Sequence, residues 1–119
     1  MPDSVSPERR NLARLATEYW RLLKLVERAL GEMPAQKRAA RAAQLRYASQ
    51  RLGAILSDSG MRAIGYEGQR FDPALPVTVV NAADAAGFFN PVIERTLEPT
   101  ITAAGQILAM GKVALFDRS

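Results

Sequence analysis

The 119 residues include no cysteine and no histidine. The first absence excludes a disulfide framework and a thiolate nucleophile, and the two together remove the usual zinc ligands and imidazole acid–base chemistry. An oxidising compartment is therefore not required. No run reaches the roughly 18 apolar residues of a membrane-spanning helix, and the opening MPDSVSPERR lacks the apolar stretch of a secretory leader. These features predict a soluble, cytoplasmic chain with no membrane contact. At this length one domain, or a helical module with a small appendage, can bury enough surface to be stable without metal or cross-link.

What is present is uneven. Residues 1–60 carry 11 Lys and Arg against 6 Asp and Glu, a net +5, whereas residues 61–119 carry 5 against 6, a net −1, for the overall +4. A basic half-chain suits either nucleic acid or an acidic protein partner, and charge alone does not separate the two.

Ser6 followed by Pro7 is a helix start, because a serine oxygen can accept from the first free amides and proline loses nothing at the first helical position. The spacing predicts a helix over Pro7–Leu30 that ends at Gly31. Its apolar residues Leu12, Leu15, Tyr19, Leu22, Val26 and Ala29 alternate three and four apart and form a single stripe, widened by Trp20, Leu23, Leu25 and Leu30. A core role accounts for many of them, but so wide a stripe needs more than one partner element, which points to self-association.

A second helix is predicted over 34–57, rich in strong helix formers, with Leu45, Ala48, Leu52, Ile55 and Leu56 as its apolar face. Leu12, Leu15, Tyr19, Leu22, Val26, Leu52 and Ile55 are the residues expected at a homodimer interface. The first half of this helix is alanine-rich and carries Lys37, Arg38 and Arg41, with Arg46 and Arg51 further on. A solvated face explains such a run as well as a contact surface does. Only Tyr47 interleaves the cations, and no groove-reading motif is present, so nucleic acid is not the expected partner.

The turn formers Ser57–Gly60 close this helix, and the helical period disappears beyond them. Short apolar runs at 61–66, 77–80, 92–97 and 106–115, separated by Gly, Pro, Asn and Asp, have the spacing of strands in a small β-domain. Pro73 and Pro76 suit an entry loop or an edge. The stretch 81–91 reads as a loop with room for a short helical turn, and its adjacent Phe88 and Phe89 would point to opposite sides of an extended chain, leaving one exposed as a contact point. The expected architecture is α+β: a helical hairpin over 1–60 and a small β-domain over 61–119.

No catalytic constellation emerges. Gly105 to Lys112 resembles a phosphate-binding loop, but five residues separate its glycines where the motif has four, and Val113 replaces the Ser or Thr that would hold Mg²⁺. Glu94 and Glu98 would pair only on a helix, and that stretch reads as a strand. The chain is therefore expected not to be an enzyme and to use neither cofactor nor metal.

The ordered set "LLKLVERAL", an amphipathic helix, "FDP" and short strands closing in "GQIL" and "VAL" resembles the GrpE family, the nucleotide exchange factors of DnaK-type chaperones. Leu25, Glu27, Arg28, Ala29 and Leu30 match its "nLeRAl" run. Ile64, Gly68, Phe71, Asp72, Pro73, Leu75 and Val79 match its "GV..I…G..FDP..H.AV" segment. The family's last segment, roughly "V.E.LQ.GY.L..R.LRPA.V.V", lies on Val92 to Leu115 without a gap, with Leu97, Ile107, Leu108, Val113 and Leu115 on apolar positions. The resemblance covers about residues 20–115. Pro76 stands in place of the family's histidine, Thr100 and Ile101 in place of its Gly-Tyr pair, and Gln106 and Ala109 in place of its two arginines. A counterpart to the family's long N-terminal coiled coil is not expected.

The resemblance implies a two-fold dimer whose hairpins pair into a four-helix bundle, with β-domains that dock on the chaperone's nucleotide-binding domain. It transfers partner contacts to Leu97, Gln106 and Leu115, and Arg62 and Arg70 are added from their place beside the matched loop. The alternative is a GrpE-fold accessory or assembly protein without exchange activity, which would hold another protein partner through Phe88, Phe89 and the basic second helix. The replaced arginines favour this alternative.

Overall fold

Ser6 caps the first helix as its chemistry predicts: its hydroxyl accepts from the Arg9 amide at 3.2 Å, and Pro7 opens α1, Pro7–Leu30. The structure, a computed structural model, describes residues 5–118. Glu8 lies in the first turn of α1 and Arg28 in the last, each at the end of the helix dipole that favours its charge. Gly31 ends the helix without using a glycine's freedom, since its φ is −61°. Three successive i to i−3 bonds, from the amides of Gly31, Glu32 and Met33, tighten the last turn ahead of Pro34. A second helix, α2, then runs Ala35–Asp58. Gly60, at φ +71°, supplies the left-handed residue at which the chain leaves it.

The chain divides into two compact units between Arg62 and Ala63. In the helical unit, the largest apolar residues of α1 are not the most buried. Ala13, Ala16 and Thr17 are buried and, of the large apolar residues, so is Leu30 at the helix end; Leu12, Tyr19, Trp20 and Leu23 are half-buried, and Leu15, Leu22, Leu25 and Val26 are exposed. Thr17 satisfies its hydroxyl on the Ala13 carbonyl at 2.9 Å.

After α2 the strands are β1 (Met61–Ile64), β2 (Val77–Val79), β3 (Pro91–Glu98), β4 (Thr100–Ala103), β5 (Gln106–Ala109) and β6 (Gly111–Asp117), with a one-turn helix α3 (Ala82–Ala85) between β2 and β3. They form two three-stranded sheets, in the orders β1-β4-β5 and β2-β6-β3. The chain is thus a helical hairpin followed by a small β-domain, the expected α+β class. The run expected over 106–115 is two strands, broken at Met110. The strand at Thr100–Ala103 was not expected, because Pro99 and the turn at 104–105 enclose only four residues.

The two sheets share one long hairpin. β3 pairs with β6, and β4 with β5, both antiparallel. The chain reverses at Ala104 (φ +50°) and Gly105 (φ +79°), two left-handed residues as a tight primed turn requires. The hairpin bends from one sheet into the other at Pro99 on one arm and Met110 on the other. Buried Thr100 fixes the bend: its hydroxyl accepts from the Tyr66 hydroxyl at 2.7 Å and donates to the Pro76 carbonyl at 2.9 Å, and the Gly111 amide meets the same carbonyl at 3.0 Å. Gly111 carries no side chain at this joint because a Cβ would lie 2.7 Å from the Thr100 Oγ1.

Tyr66, Ile93, Val113 and Leu115 form the centre of the β-unit core, with Ile64, Phe71, Leu75, Val77, Val79, Ala85 and Phe88 packed around them. Asn81 extends β2 by side chain alone. Its Oδ1 accepts from the Leu115 amide at 2.9 Å and its Nδ2 donates to the Leu115 carbonyl at 2.8 Å. In this way it does for β6 what a further strand residue would do.

Candidate protein-interaction surfaces

Two surfaces carry unpartnered apolar groups. The first is on the helical hairpin. Leu15, Leu22 and Leu25 are 65%, 60% and 58% exposed, and Val26 is exposed beside them. A groove of about 520 Å³ follows the seam between the helices, lined on α1 by Tyr19, Leu22, Leu23, Val26, Ala29 and Leu30. Opposite, α2 supplies Arg41, Gln44, Leu45 and Ala48, of which only Leu45 is a large apolar side chain. With two polar side chains and one alanine beside Leu45, this wall of α2 does not cover the leucines of α1, which leaves the groove open.

The expected interface residues divide accordingly. Leu15, Leu22, Val26 and Ile55 are exposed. Leu12 and Tyr19 are half-buried, and the Tyr19 hydroxyl is bonded to the Ala48 carbonyl at 3.1 Å within the hairpin itself. Leu52 is a correction: it is buried within the single chain and has nothing left to offer a second copy.

The basic residues of α2 do not assemble into a contact strip. At 100° per residue, Lys37, Arg38, Arg41, Arg46 and Arg51 spread around most of the helix. Three of them are engaged locally: Arg38 donates to the Met33 carbonyl at 2.7 Å, Arg41 to the Gln44 amide oxygen at 3.3 Å, and Arg51 to the Tyr47 hydroxyl at 3.2 Å while lying over that ring. A better aligned row was missed on α1. Arg10, Arg14, Arg21 and Arg28 are all exposed, and the last three recur every seven residues, the spacing that would have revealed them.

The second surface belongs to the β-unit. Of the contacts transferred to it, Gln106 is exposed at the start of β5 and Leu97 is half-buried on β3; of the two arginines added to them, Arg70 is exposed in this unit and Arg62 is exposed at the end of the helical one. Leu97 and Gln106 lie on different sheets. Leu115 is a correction: at 4% exposure it is part of the core, because the register of β6 turns Val113 and Leu115 to the same inner face. Phe88 is likewise a correction, half-buried against that core. Phe89, its neighbour, is 90% exposed.

Ile107 and Met110, at 51% and 49% exposure, were not singled out as contacts. The signal for them is that residues 99–111 contain no Asp, Glu, Lys or Arg in a chain that is 24% charged.

The remaining titratable candidates stand in ordinary places. Lys112 is paired with Glu98 at 3.5 Å on adjacent strands, Glu94 is exposed, and Gly105 belongs to a strand turn rather than to a loop leading into a helix. Among the described residues no three acidic, His or Cys side chains gather as a metal site would need, and no helix is long and apolar enough to cross a membrane. Compared with models of known protein families, with curated proteins and with solved structures, the chain matches none.

Proposed function

We propose that this chain is a GrpE-like co-chaperone of the cytoplasm: a homodimer that binds the nucleotide-binding domain of a DnaK-type chaperone and promotes nucleotide release, performing no chemistry itself. The observation that carries the reading is where the family-like residues sit. Ile64, Phe71, Leu75, Val79, Val113 and Leu115, scattered over some fifty positions, converge on one core. Gly68 takes a φ of +81°, and the Asp72 carboxylate accepts from the Ala74 amide at 2.9 Å to set the turn of "FDP". The motif residues thus have a common physical role, to build a β-unit of this kind after a helical hairpin.

The dimer is part of the same proposal and rests on the exposed leucines of α1, which form a seam that its own hairpin leaves open. Exchange in such a system is differential binding. A partner that prefers the open, nucleotide-free cleft must weaken nucleotide binding by the same factor that nucleotide weakens its own. Sedimentation of this chain with the isolated nucleotide-binding domain tests the reading. Two chains should bind one domain, more tightly without nucleotide than with it.

A second reading has a specific observation in its favour. With Gln106 and Ala109 in the arginine positions, and no charge anywhere over 99–111, the β4–β5 arm presents an uncharged surface. A GrpE-fold accessory protein that binds another protein without exchanging its nucleotide fits that surface. In the sedimentation test it gives a dimer that ignores the chaperone domain.

A further inference from the structure

Phe89 is the most exposed large apolar side chain among the described residues. The backbone that carries it is held from both sides. The Asp117 carboxylate accepts from the Phe89 amide at 3.3 Å through one oxygen and from the Asn90 amide at 2.9 Å through the other. The Arg118 amide donates to the Asn90 carbonyl at 3.0 Å, and the Asn90 side-chain amide returns a bond to the Arg118 carbonyl at 3.4 Å. Before Phe89, Phe88 is packed on the core and its amide is bonded to the Ala85 carbonyl at 3.0 Å. After Asn90, Pro91 enters the β3–β6 ladder opposite Asp117. Phe89 is thus presented from a backbone that is already held in place before any partner arrives.

We propose that Phe89 is the anchor of a protein-binding site at this end of the β2-β6-β3 sheet, with exposed Phe116 and Arg118 as its flanks. Aromatic residues and arginine are the types that dominate binding energy at protein interfaces, and an anchor on a backbone already held in place costs less ordering entropy on binding. The occupant has a matching chemistry. It is an apolar pocket bordered by a carboxylate, because the Asp117 charge is spent on backbone amides while no described residue holds Arg118 in an ion pair. The proposal rests on the chaperone reading above and takes that pocket to lie on the nucleotide-binding domain.

The test compares variants of the full chain for affinity to the nucleotide-free nucleotide-binding domain of a DnaK-type chaperone from the same organism, with melting curves recorded in parallel. Phe89→Ala is expected to lower affinity on the order of tenfold or more while the melting curve stays put. Phe89→Trp should retain binding, and Arg118→Glu should weaken it severalfold. Wild-type affinity in Phe89→Ala overturns the anchor and leaves the chaperone reading standing. Failure of the unmodified chain to bind overturns the chaperone reading and, with its occupant gone, the anchor too.

Discussion

The hydroxyl of Thr100 and the missing side chain of Gly111 are two halves of one joint. A Cβ on Gly111 would sit 2.7 Å from the Thr100 Oγ1 and 3.1 Å from both the Glu98 carbonyl and the Thr100 amide. The motif that the last segment resembles has glycine at the position of Thr100 and alanine at that of Gly111. This chain holds the bulk on the opposite strand, and its added hydroxyl ties Tyr66 to Pro76. Gly111→Ala should therefore lower unfolding free energy by about 1–3 kcal/mol, and adding Thr100→Gly should recover part of the loss contributed by the clash. A denaturant double-mutant cycle checks this. Simple additivity of the two changes would mean that the residues do not share the space.

Asn81 gives a second stability test. Replacing it with Ala leaves both the amide and the carbonyl of Leu115 without their partner, at a cost of about 1–3 kcal/mol. Thermal unfolding measures the cost, and hydrogen exchange at the Leu115 amide locates it. Protection at that amide should fall more than at Ile93.

The turn at the end of the long hairpin is suboptimal in an identifiable way. Ala104 takes a φ of +50°, a conformation that a Cβ disfavours and that asparagine tolerates. Ala104→Asn should raise stability by about 0.5–1 kcal/mol, read as a higher denaturant midpoint with unchanged slope.

The dimer seam is tested by Leu22→Asp. In a single chain Leu22 is largely exposed, so the charge costs the fold of the hairpin little. At a seam it is buried without a partner and is strongly unfavourable. The variant should keep its helical signal and sediment at the 13.0 kDa of one chain, against twice that for the parent. A parent that already sediments as one chain contradicts the dimer.

The helical hairpin was legible because its signals are local. Ser6, Pro7 and Pro34 act within a turn of where they stand, and the leucine spacing follows one axis. Periodicity could not say which apolar residues the hairpin covers by itself. That depends on the facing helix, where Arg41, Gln44 and Ala48 offer the groove little large apolar surface. In the β-unit, the alternation argument expected one of Phe88 and Phe89 inward and the other exposed without saying which, and the exposed one is Phe89. Leu115 was misread because its position was taken from a resemblance, whereas its burial follows from the register of β6. β4 escaped notice because four residues between a proline and a turn carry too little alternation to declare a strand, and their pairing with β1 and β5 is set by distant parts of the chain.

The most direct test of the central claim is the release rate of a fluorescent nucleotide from a DnaK-type chaperone of the same organism, followed with increasing amounts of this protein. The account predicts that release accelerates with protein concentration and saturates at two chains per chaperone. An unchanged rate in the presence of a folded dimer would contradict it, leaving a helical hairpin and β-domain that serve another partner.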